Sequence, residues 1–200
     1  LKHLRQPWKK PVAEHTREAF LRADVWRSER PDRALILDSG CGTGRSSVRL
    51  AKTHPDSLVI GIDQSAARLM KSGSDDSALP KNLLLLRAEC ADFWRLAADC
   101  GWQLQRHYLL YPNPWPKSAH VKRRWHGHPV FPVMLALGGQ LELRTNWRVY
   151  ADEMARALKL ADRPAATEEL VVTDEPLSDF ERKYRDSSHQ LYRLMSNLSK

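Results

Sequence analysis

The sequence predicts a doubly wound α/β fold, in which a mostly parallel β-sheet carries helices on both faces. Short apolar runs alternate along the chain with longer stretches whose apolar residues recur at helical spacing. The runs are continuously apolar, which is typical of parallel strands buried on both faces. The predicted strands are 34–37, 58–62, 83–86, 108–111 and 140–143, and the predicted helices between them are 45–53, 66–72, 91–99, 131–137 and 149–160.

The two ends of the chain complete this interpretation. Residues 1–33 mix charge, Pro and Trp, and we interpret them as an N-terminal extension with a helix over 14–27. Residues 34–200 then form one domain, for which the chain is long enough. Near its end we expect a strand at 170–173, a helix from Ser178 and a last strand at 191–195, which brings the sheet to seven strands.

Composition limits the classes of partner. The formal net charge is +8, which suits a phosphate backbone but also a basic surface without a particular partner. The basic residues cluster in two places: Lys2, Arg5, Lys9 and Lys10, and Lys117, Lys122, Arg123 and Arg124.

Metal and membrane partners are not expected. Three scattered cysteines, Cys41, Cys90 and Cys100, do not form a disulfide framework or a zinc site. No apolar run approaches membrane-spanning length, and no secretory segment is recognised. We therefore expect a cytoplasmic protein without a metal. The sequence does not fix the oligomeric state, although a monomer is favoured.

A glycine-rich turn follows the first predicted strand, in the segment 35–44. It contains Gly40, Gly42 and Gly44 in a G-x-G-x-G spacing, unlike the G-x-G-x-x-G of dinucleotide sites. Such a turn brings a ligand close to the backbone and opens a helix whose first N–H groups are free. Asp38 precedes the turn and could meet an amino group of a cofactor.

Acidic residues follow the next two strands. Asp63 ends the second strand, where a carboxylate can accept hydrogen bonds from both ribose hydroxyls of a nucleoside cofactor. Glu89 and Asp92 follow the third strand, where one of them could accept from an adenine amine while the other caps a helix. The sequence leaves that choice open.

The fourth strand runs into a proline loop at 111–117. Prolines at alternate positions exclude helix and stiffen this loop, which contains Asn113, Trp115 and Lys117. Trp115 could stack on a base or belong to the core. Lys117, with Lys122, Arg123 and Arg124 beyond it, could neutralise phosphates.

The fifth strand ends in Thr145-Asn146-Trp147. Asn146 could contact the substrate or cap the helix that follows, and the sequence does not separate these roles.

These motifs together resemble the bacterial tRNA (guanine-N7)-methyltransferases. The resemblance covers about 35–195 and is most specific in the proline loop 111–117, the basic residues 122–124 and the segment 145–147. It implies a class I, Rossmann-like fold, S-adenosylmethionine as cofactor and tRNA as substrate.

The resemblance also implies roles for individual residues. Cofactor binding falls on Asp38, Gly40, Gly42, Gly44, Asp63, Glu89 and Asn113; substrate binding falls on Lys117, Arg123, Arg124, Asn146, Ser178 and Glu181. Asn113 also occupies the position usually treated as catalytic. The family has an acid there and at Asn146, so both acids on the substrate side are amides in this chain.

The amides leave alternatives open. Asn113-Pro114-Trp115 is partly similar to the loop of methyltransferases that act on adenine N6 or on amides. A small-molecule substrate is compatible with the same fold, since fold does not fix substrate. A non-catalytic binding module is a further class, against which the intact glycines and Asp63 argue.

Overall fold

The computed structural model describes residues 8–72, 79–172 and 175–199. Within these residues seven strands form one sheet in the order β3-β2-β1-β4-β5-β7-β6. All neighbouring pairs are parallel except those of β7, which runs antiparallel to β5 and β6. The strands are β1 Leu35–Ser39, β2 Leu58–Asp63, β3 Leu83–Arg87, β4 Arg106–Leu110, β5 Gln140–Thr145, β6 Ala165–Glu169 and β7 Tyr192–Asn197.

Seven α-helices are described in these residues. They are α1 Glu14–Ser28, α2 Arg45–Thr53, α3 Ala66–Leu69, α4 Cys90–Asp99, α5 Phe131–Ala136, α6 Arg148–Leu160 and α7 Asp179–Asp186. The predicted helix over 66–72 is divided, since its last three residues, Met70–Ser72, form a 3-10 turn. The doubly wound fold and its mostly parallel sheet are confirmed.

The sixth strand lies earlier in the chain than predicted. We expected 170–173, of which Thr173 falls outside the described residues, whereas β6 spans Ala165–Glu169. This strand is at the edge of the sheet, where polar residues are favoured because they discourage pairing with another chain. Its Glu168 carboxylate pairs with Arg193 on β7. The apolar character of 170–173 therefore predicted the sixth strand at the wrong residues.

Alternate residues of the central strands pack on opposite faces of the sheet. Leu37 and Ile60 belong to one apolar cluster, and Ile36 and Val59 belong to the other. All four side chains are fully buried. Burial on both faces explains why the strands read as continuous apolar runs.

The N-terminal helix α1 packs on α4 and contributes to the core. The ring of Phe20 lies 5.4 Å from that of Phe93 and 5.1 Å from that of Trp102, measured between centroids. A domain boundary near residue 33 stays a prediction, because packing of this kind does not define one. Over the described residues, no helix is long and apolar enough to cross a membrane.

The strand order predicts the edge of the sheet at which a ligand binds. From β1 the chain builds outward to β2 and β3 on one side, and it then returns to add β4 and β5 on the other. Ligands of doubly wound folds bind outside the carboxyl ends of the strands at this reversal. In this protein the position lies between the end of β1 at Ser39 and the end of β4 at Leu110.

Candidate cofactor and substrate cleft

A cleft of about 770 Å³ opens at this edge of the sheet. It brings together six of the predicted site residues: Gly40, Asp63, Glu89, Asn113, Arg123 and Asn146. These residues follow five different strands, so the carboxyl ends of β1 to β5 each contribute to its wall. Seven other predicted site residues do not line the cleft: Asp38, Gly42, Gly44, Lys117, Arg124, Ser178 and Glu181.

The glycine turn has two functions. Gly40 and Gly42 have φ angles of 76° and 63°, and a Cβ atom on either would meet no atom within 4 Å. Their backbone conformation favours glycine and leaves open space for a ligand. Gly44 has a φ angle of 80°, which also favours glycine, and a Cβ atom there would lie 2.7 Å from the end of the Leu85 side chain. Packing against β3 therefore gives a structural reason for the third glycine.

Asp63 connects this turn to the end of β2. Its side chain is 3% exposed and accepts hydrogen bonds from the backbone N–H of Gly42 at 3.0 Å and of Ser65 at 2.8 Å. The guanidinium of Arg68 lies 3.3 Å from the same carboxylate. The ends of β1 and β2 are thus joined through one anionic side chain that faces the cleft.

Asp38 lies behind the turn rather than on the cleft wall. It is fully buried, and its Oδ2 accepts hydrogen bonds from Ser46 at 2.6 Å and Ser47 at 2.7 Å. Its Oδ1 has no partner among the described residues. Burial raises the pKa of this carboxyl to about 6, although the two serine hydroxyls oppose the shift. An unpartnered oxygen beside the turn is suited to a cationic group of a ligand.

The structure distinguishes the roles of Glu89 and Asp92. Asp92 is 2% exposed and accepts hydrogen bonds from the backbone N–H of Ala13 and from Arg95. It therefore anchors the segment before α1. In the part of the chain that the structure describes, no hydrogen bond or ion pair engages the half-buried Glu89 carboxylate. Glu89 is thus the better candidate for a ligand contact.

The proline loop has unusual backbone geometry. Tyr111 and Trp115 have φ angles of 52° and 43°, which side chains other than glycine rarely adopt and which cluster at functional sites. Asn113 is exposed, and its Oδ1 accepts a hydrogen bond from the backbone N–H of Trp115 at 3.2 Å. The Trp115 ring is half-buried on the cleft wall, with the guanidinium of Arg123 4.6 Å above it. Trp115 is therefore not a core residue.

The role expected for Arg124 requires correction. Its side chain is 6% exposed and donates hydrogen bonds to the carbonyls of Trp115 and Pro116. It also pairs with Glu153 on α6. A guanidinium that is buried and already bonded is not available to a phosphate, so Arg124 holds the loop in place instead. Lys117 and Arg123 are exposed beside it.

Asn146 remains on the cleft wall, as the sequence allowed. Its amide lies 3.2 Å from Nδ1 of His189. No side chain caps the following helix α6, which begins after Trp147. The capping role is therefore excluded, and the contact with substrate stays a prediction.

The roles expected for Ser178 and Glu181 also require correction. The Ser178 hydroxyl accepts a hydrogen bond from the backbone N–H of Glu181 and so caps α7. Glu181 is 1% exposed and accepts hydrogen bonds from Arg144 at 3.0 Å and from the Tyr111 hydroxyl at 3.1 Å. Both side chains point into the protein, where they hold α7 and the start of the proline loop.

Sequence reasoning missed several cleft residues. Three that it gave no role are Arg68, Phe180 and Tyr184. Phe180 and Tyr184 are four residues apart on one helix and so share a face. That spacing was visible in the sequence, but the direction of the face was not. Among the described residues, no group of three or more His, Cys, Asp or Glu side chains is placed to hold a metal ion.

Comparisons with known proteins find similar methyltransferases. The family model Methyltransf_4, described as "Putative methyltransferase", matches residues 32–194. The tRNA (guanine-N(7)-)-methyltransferase of Acinetobacter baylyi is 30% identical over 175 residues, which cover 82% of this chain and 69% of that protein. The protein of the same name from Pseudoalteromonas atlantica is 31% identical over 172 residues, which cover 80% and 71%.

A solved structure shows the same fold. It is a 16S rRNA (adenine(1408)-N(1))-methyltransferase mutant with cosubstrate SAM from Catenulisporales acidiphilia. The TM-score is 0.64 at 17% identity, over 88% of this chain and 91% of that one. At this identity the likeness concerns the fold alone.

Proposed function

Because the chain belongs to the tRNA (guanine-N(7)-)-methyltransferase family, we propose that it transfers a methyl group from S-adenosylmethionine to N7 of a guanine in tRNA. The observation that carries this proposal is the division of one cleft into two halves. The carboxylates that line the cleft are Asp63, Glu89 and Asp92, and all three lie at or just after the end of β2 or β3. The wall that follows β4 and β5 presents amides, aromatic rings and Arg123 instead.

The carboxylate half fits S-adenosylmethionine. Asp63 is suited to the two ribose hydroxyls, because it lines the cleft at the end of β2 and each of its oxygens has a further lone pair beyond the backbone N–H that it accepts. Glu89 is suited to the adenine amine. The unpartnered Oδ1 of Asp38 is suited to the amino group at the methionine end, next to the open space at Gly40 and Gly42. The backbone of the glycine turn then faces the cofactor.

The other half is suited to positioning a base. Bound S-adenosylmethionine supplies an electrophilic methyl group on a sulfonium. Guanine N7 carries a free lone pair at neutral pH, so no residue of this chain has to remove a proton from it. Alignment therefore supplies most of the rate. The proline loop does this by holding Asn113 next to the cleft, on a backbone fixed by Arg124 and Tyr111.

Three further predictions belong to this proposal. We place the catalytic domain at 34–200, which the family match from residue 32 supports. We propose that Lys117, Lys122 and Arg123 contact tRNA phosphates, since all three are exposed in or just after the proline loop. A tRNA substrate also makes the cytoplasm the expected compartment.

Nucleoside mass spectrometry tests the function directly. The purified protein is incubated with bulk tRNA and S-adenosylmethionine carrying a labelled methyl group, and the tRNA is then digested. We expect the label in 7-methylguanosine. A label on adenine N6 or in small molecules only would contradict the proposed substrate. No heat and no thermal shift on titration with S-adenosylmethionine would contradict cofactor binding itself.

A further inference from the structure

Helix α7 turns one face toward the protein and another toward the cleft. Its cap Ser178 and the buried Glu181 are bonded inward. Phe180 and Tyr184, four residues apart, line the cleft. Thr43 and Arg45 from the glycine turn both donate to the carboxylate of Asp179, at 2.8 and 2.9 Å. The helix is therefore fixed at both its cap and its first turn, so its outward face has a defined direction.

The two rings on that face are nearly parallel. Their planes meet at 24° and their centroids lie 6.2 Å apart. Tyr184 is half-buried and rests on Tyr111, 5.5 Å away, and on His189, 5.2 Å away. Phe180 lies at the outer end and is 42% exposed. Core packing explains the position of Tyr184 but leaves much of the Phe180 ring in solvent.

The surroundings of these rings suit a nucleobase that belongs to a polyanion. Asn146 lines the same cleft and is connected to Tyr184 through His189. The buried Glu181 pairs with Arg144, which also pairs with Glu142. The Arg123 guanidinium lies over Trp115 on the same cleft. Flat apolar rings combined with cationic side chains are typical of surfaces that bind bases outside a duplex.

We propose that Phe180, supported by Tyr184, is a stacking platform for the guanine that receives the methyl group, turned out of the tRNA stack. This inference rests on the proposed function and deepens it, because it names the residues that hold the target base. A base reaching a reactive methyl has to leave its neighbours in the RNA, and an aromatic surface replaces the stacking that it loses.

Variants of Phe180 test the platform. Binding of bulk tRNA is measured at fixed salt in the presence of S-adenosylhomocysteine, and KM and kcat are measured for methyl transfer. We expect Phe180→Ala to weaken tRNA binding about tenfold, as for loss of one stacked base. Phe180→Tyr should bind within about twofold of the wild type. Phe180→Leu keeps an apolar side chain without a π face and should resemble Phe180→Ala.

Controls separate the platform from folding. Affinity for S-adenosylmethionine and the melting temperature should be unchanged in Phe180→Ala, because the side chain is partly exposed and lies on the substrate side. Leu21→Ala removes another exposed apolar side chain, on α1 and away from the cleft, and should change none of these values. Wild-type tRNA binding by Phe180→Leu or Phe180→Ala would overturn the proposal.

The outcome is distinct from that of the functional test. If the wild type methylates guanine N7 and Phe180→Ala behaves like it, the platform is wrong and the function stands. If the wild type places no methyl on tRNA, the proposed function is wrong, and tRNA binding then tests only the stacking of a base on Phe180. In that case weaker tRNA binding by Phe180→Ala supports it, and equal binding overturns it.

Discussion

The carboxyl of Asp38 shows how one buried residue links cofactor binding to pH. It has no exposed surface, and only one of its two oxygens is hydrogen-bonded. Burial raises its pKa from the ordinary 3.8 to about 6. Because the folded pKa is the higher one, the free protein gains stability from this group as pH falls from above 6 towards 4. A cation that pairs with Asp38 requires the ionised form and so favours the opposite direction.

Affinity for S-adenosylmethionine should therefore fall as the pH drops below about 6. Protonation removes the partner of the amino group, so we expect binding about tenfold weaker at pH 5 than at pH 7.5. Calorimetric titration at several pH values measures this. The isosteric Asp38→Asn variant should bind weakly with little change over the same range. A wild-type affinity independent of pH would show that Asp38 does not meet the amino group.

Asn113 is one of two positions at which the family resemblance implies an acid and this chain has an amide. Its Oδ1 accepts from the Trp115 N–H, which an aspartate could also do. The substitution therefore concerns the second polar atom of the side chain, an NH₂ group that donates where a carboxylate would accept. A carboxylate could receive both N1–H and the amino group of guanine, whereas the amide can accept only one such bond well.

Asn113→Asp should increase guanine methylation. A mismatched polar contact of this kind costs about 1–3 kcal/mol, so we expect kcat/KM for tRNA to rise by roughly tenfold to a hundredfold. Labelled methyl transfer measures the rate. Asn113→Ala serves as the matched control and should lower the rate, since it loses the bond to the loop backbone as well. A decrease in the aspartate variant would mean that the amide is the better partner for the acceptor of this enzyme.

At the scale of elements, the proline loop depends on contacts from other parts of the chain. Arg124 ties the Trp115 and Pro116 carbonyls to Glu153 on α6. His126 also contacts Glu153, at 3.0 Å, and burial lowers the pKa of this imidazole. At the other end, Tyr111 donates to Glu181 next to the capped start of α7. Since φ is positive at Tyr111 and Trp115, these bonds hold a backbone that would otherwise relax.

Arg124→Met should lower kcat by tenfold or more while affinity for S-adenosylmethionine stays within twofold. The change leaves two loop carbonyls without their donor and Glu153 with His126 as its remaining contact, which we expect to cost about 2–4 kcal/mol of folding free energy. Single-turnover methyl transfer and thermal unfolding measure the two effects. Lys122→Met removes a neighbouring exposed cation and should cost no stability. Normal stability with a raised KM for tRNA would instead favour a phosphate contact by Arg124.

At the scale of the whole molecule, the net charge of +8 predicts where tRNA binds only when the positions of the charged side chains are known. Lys117 and Lys122 are exposed next to the proline loop. Lys52 and Lys159 are exposed in the last turns of α2 and α6. Helices of this fold run opposite to the parallel strands, so their carboxyl ends lie at the sheet edge away from the cleft.

Salt dependence distinguishes these two sets of lysines. Removal of two phosphate contacts should reduce the slope of log K against log salt by about 1.4–1.8. We expect this for the double variant Lys117→Ser/Lys122→Ser, measured by tRNA binding at several salt concentrations. Lys52→Ser/Lys159→Ser changes the net charge equally and should leave the slope almost unchanged. Equal slopes in both variants would mean that tRNA responds only to net charge.

By itself the sequence determined the doubly wound sheet, the glycine turn, Asp63 at the end of β2 and the family. These features depend on local spacing, because strand and helix periods and positive-φ turns involve residues close in the chain. The edge strand β6 escaped this reasoning because half of it faces solvent and its apolar pattern is weak.

Only the tertiary structure decided which charged and aromatic side chains face the cleft. Arg124 and Glu181 look like binding residues in the sequence, yet each is buried and bonded to partners that lie 29 and 37 residues away. Phe180, which lies between Ser178 and Glu181 in the sequence, was given no role there and lines the cleft. The physical reason is that the role of a polar side chain depends on whether other groups of the protein already hydrogen-bond or pair with it. Chain folding brings those groups together from distant positions in the sequence.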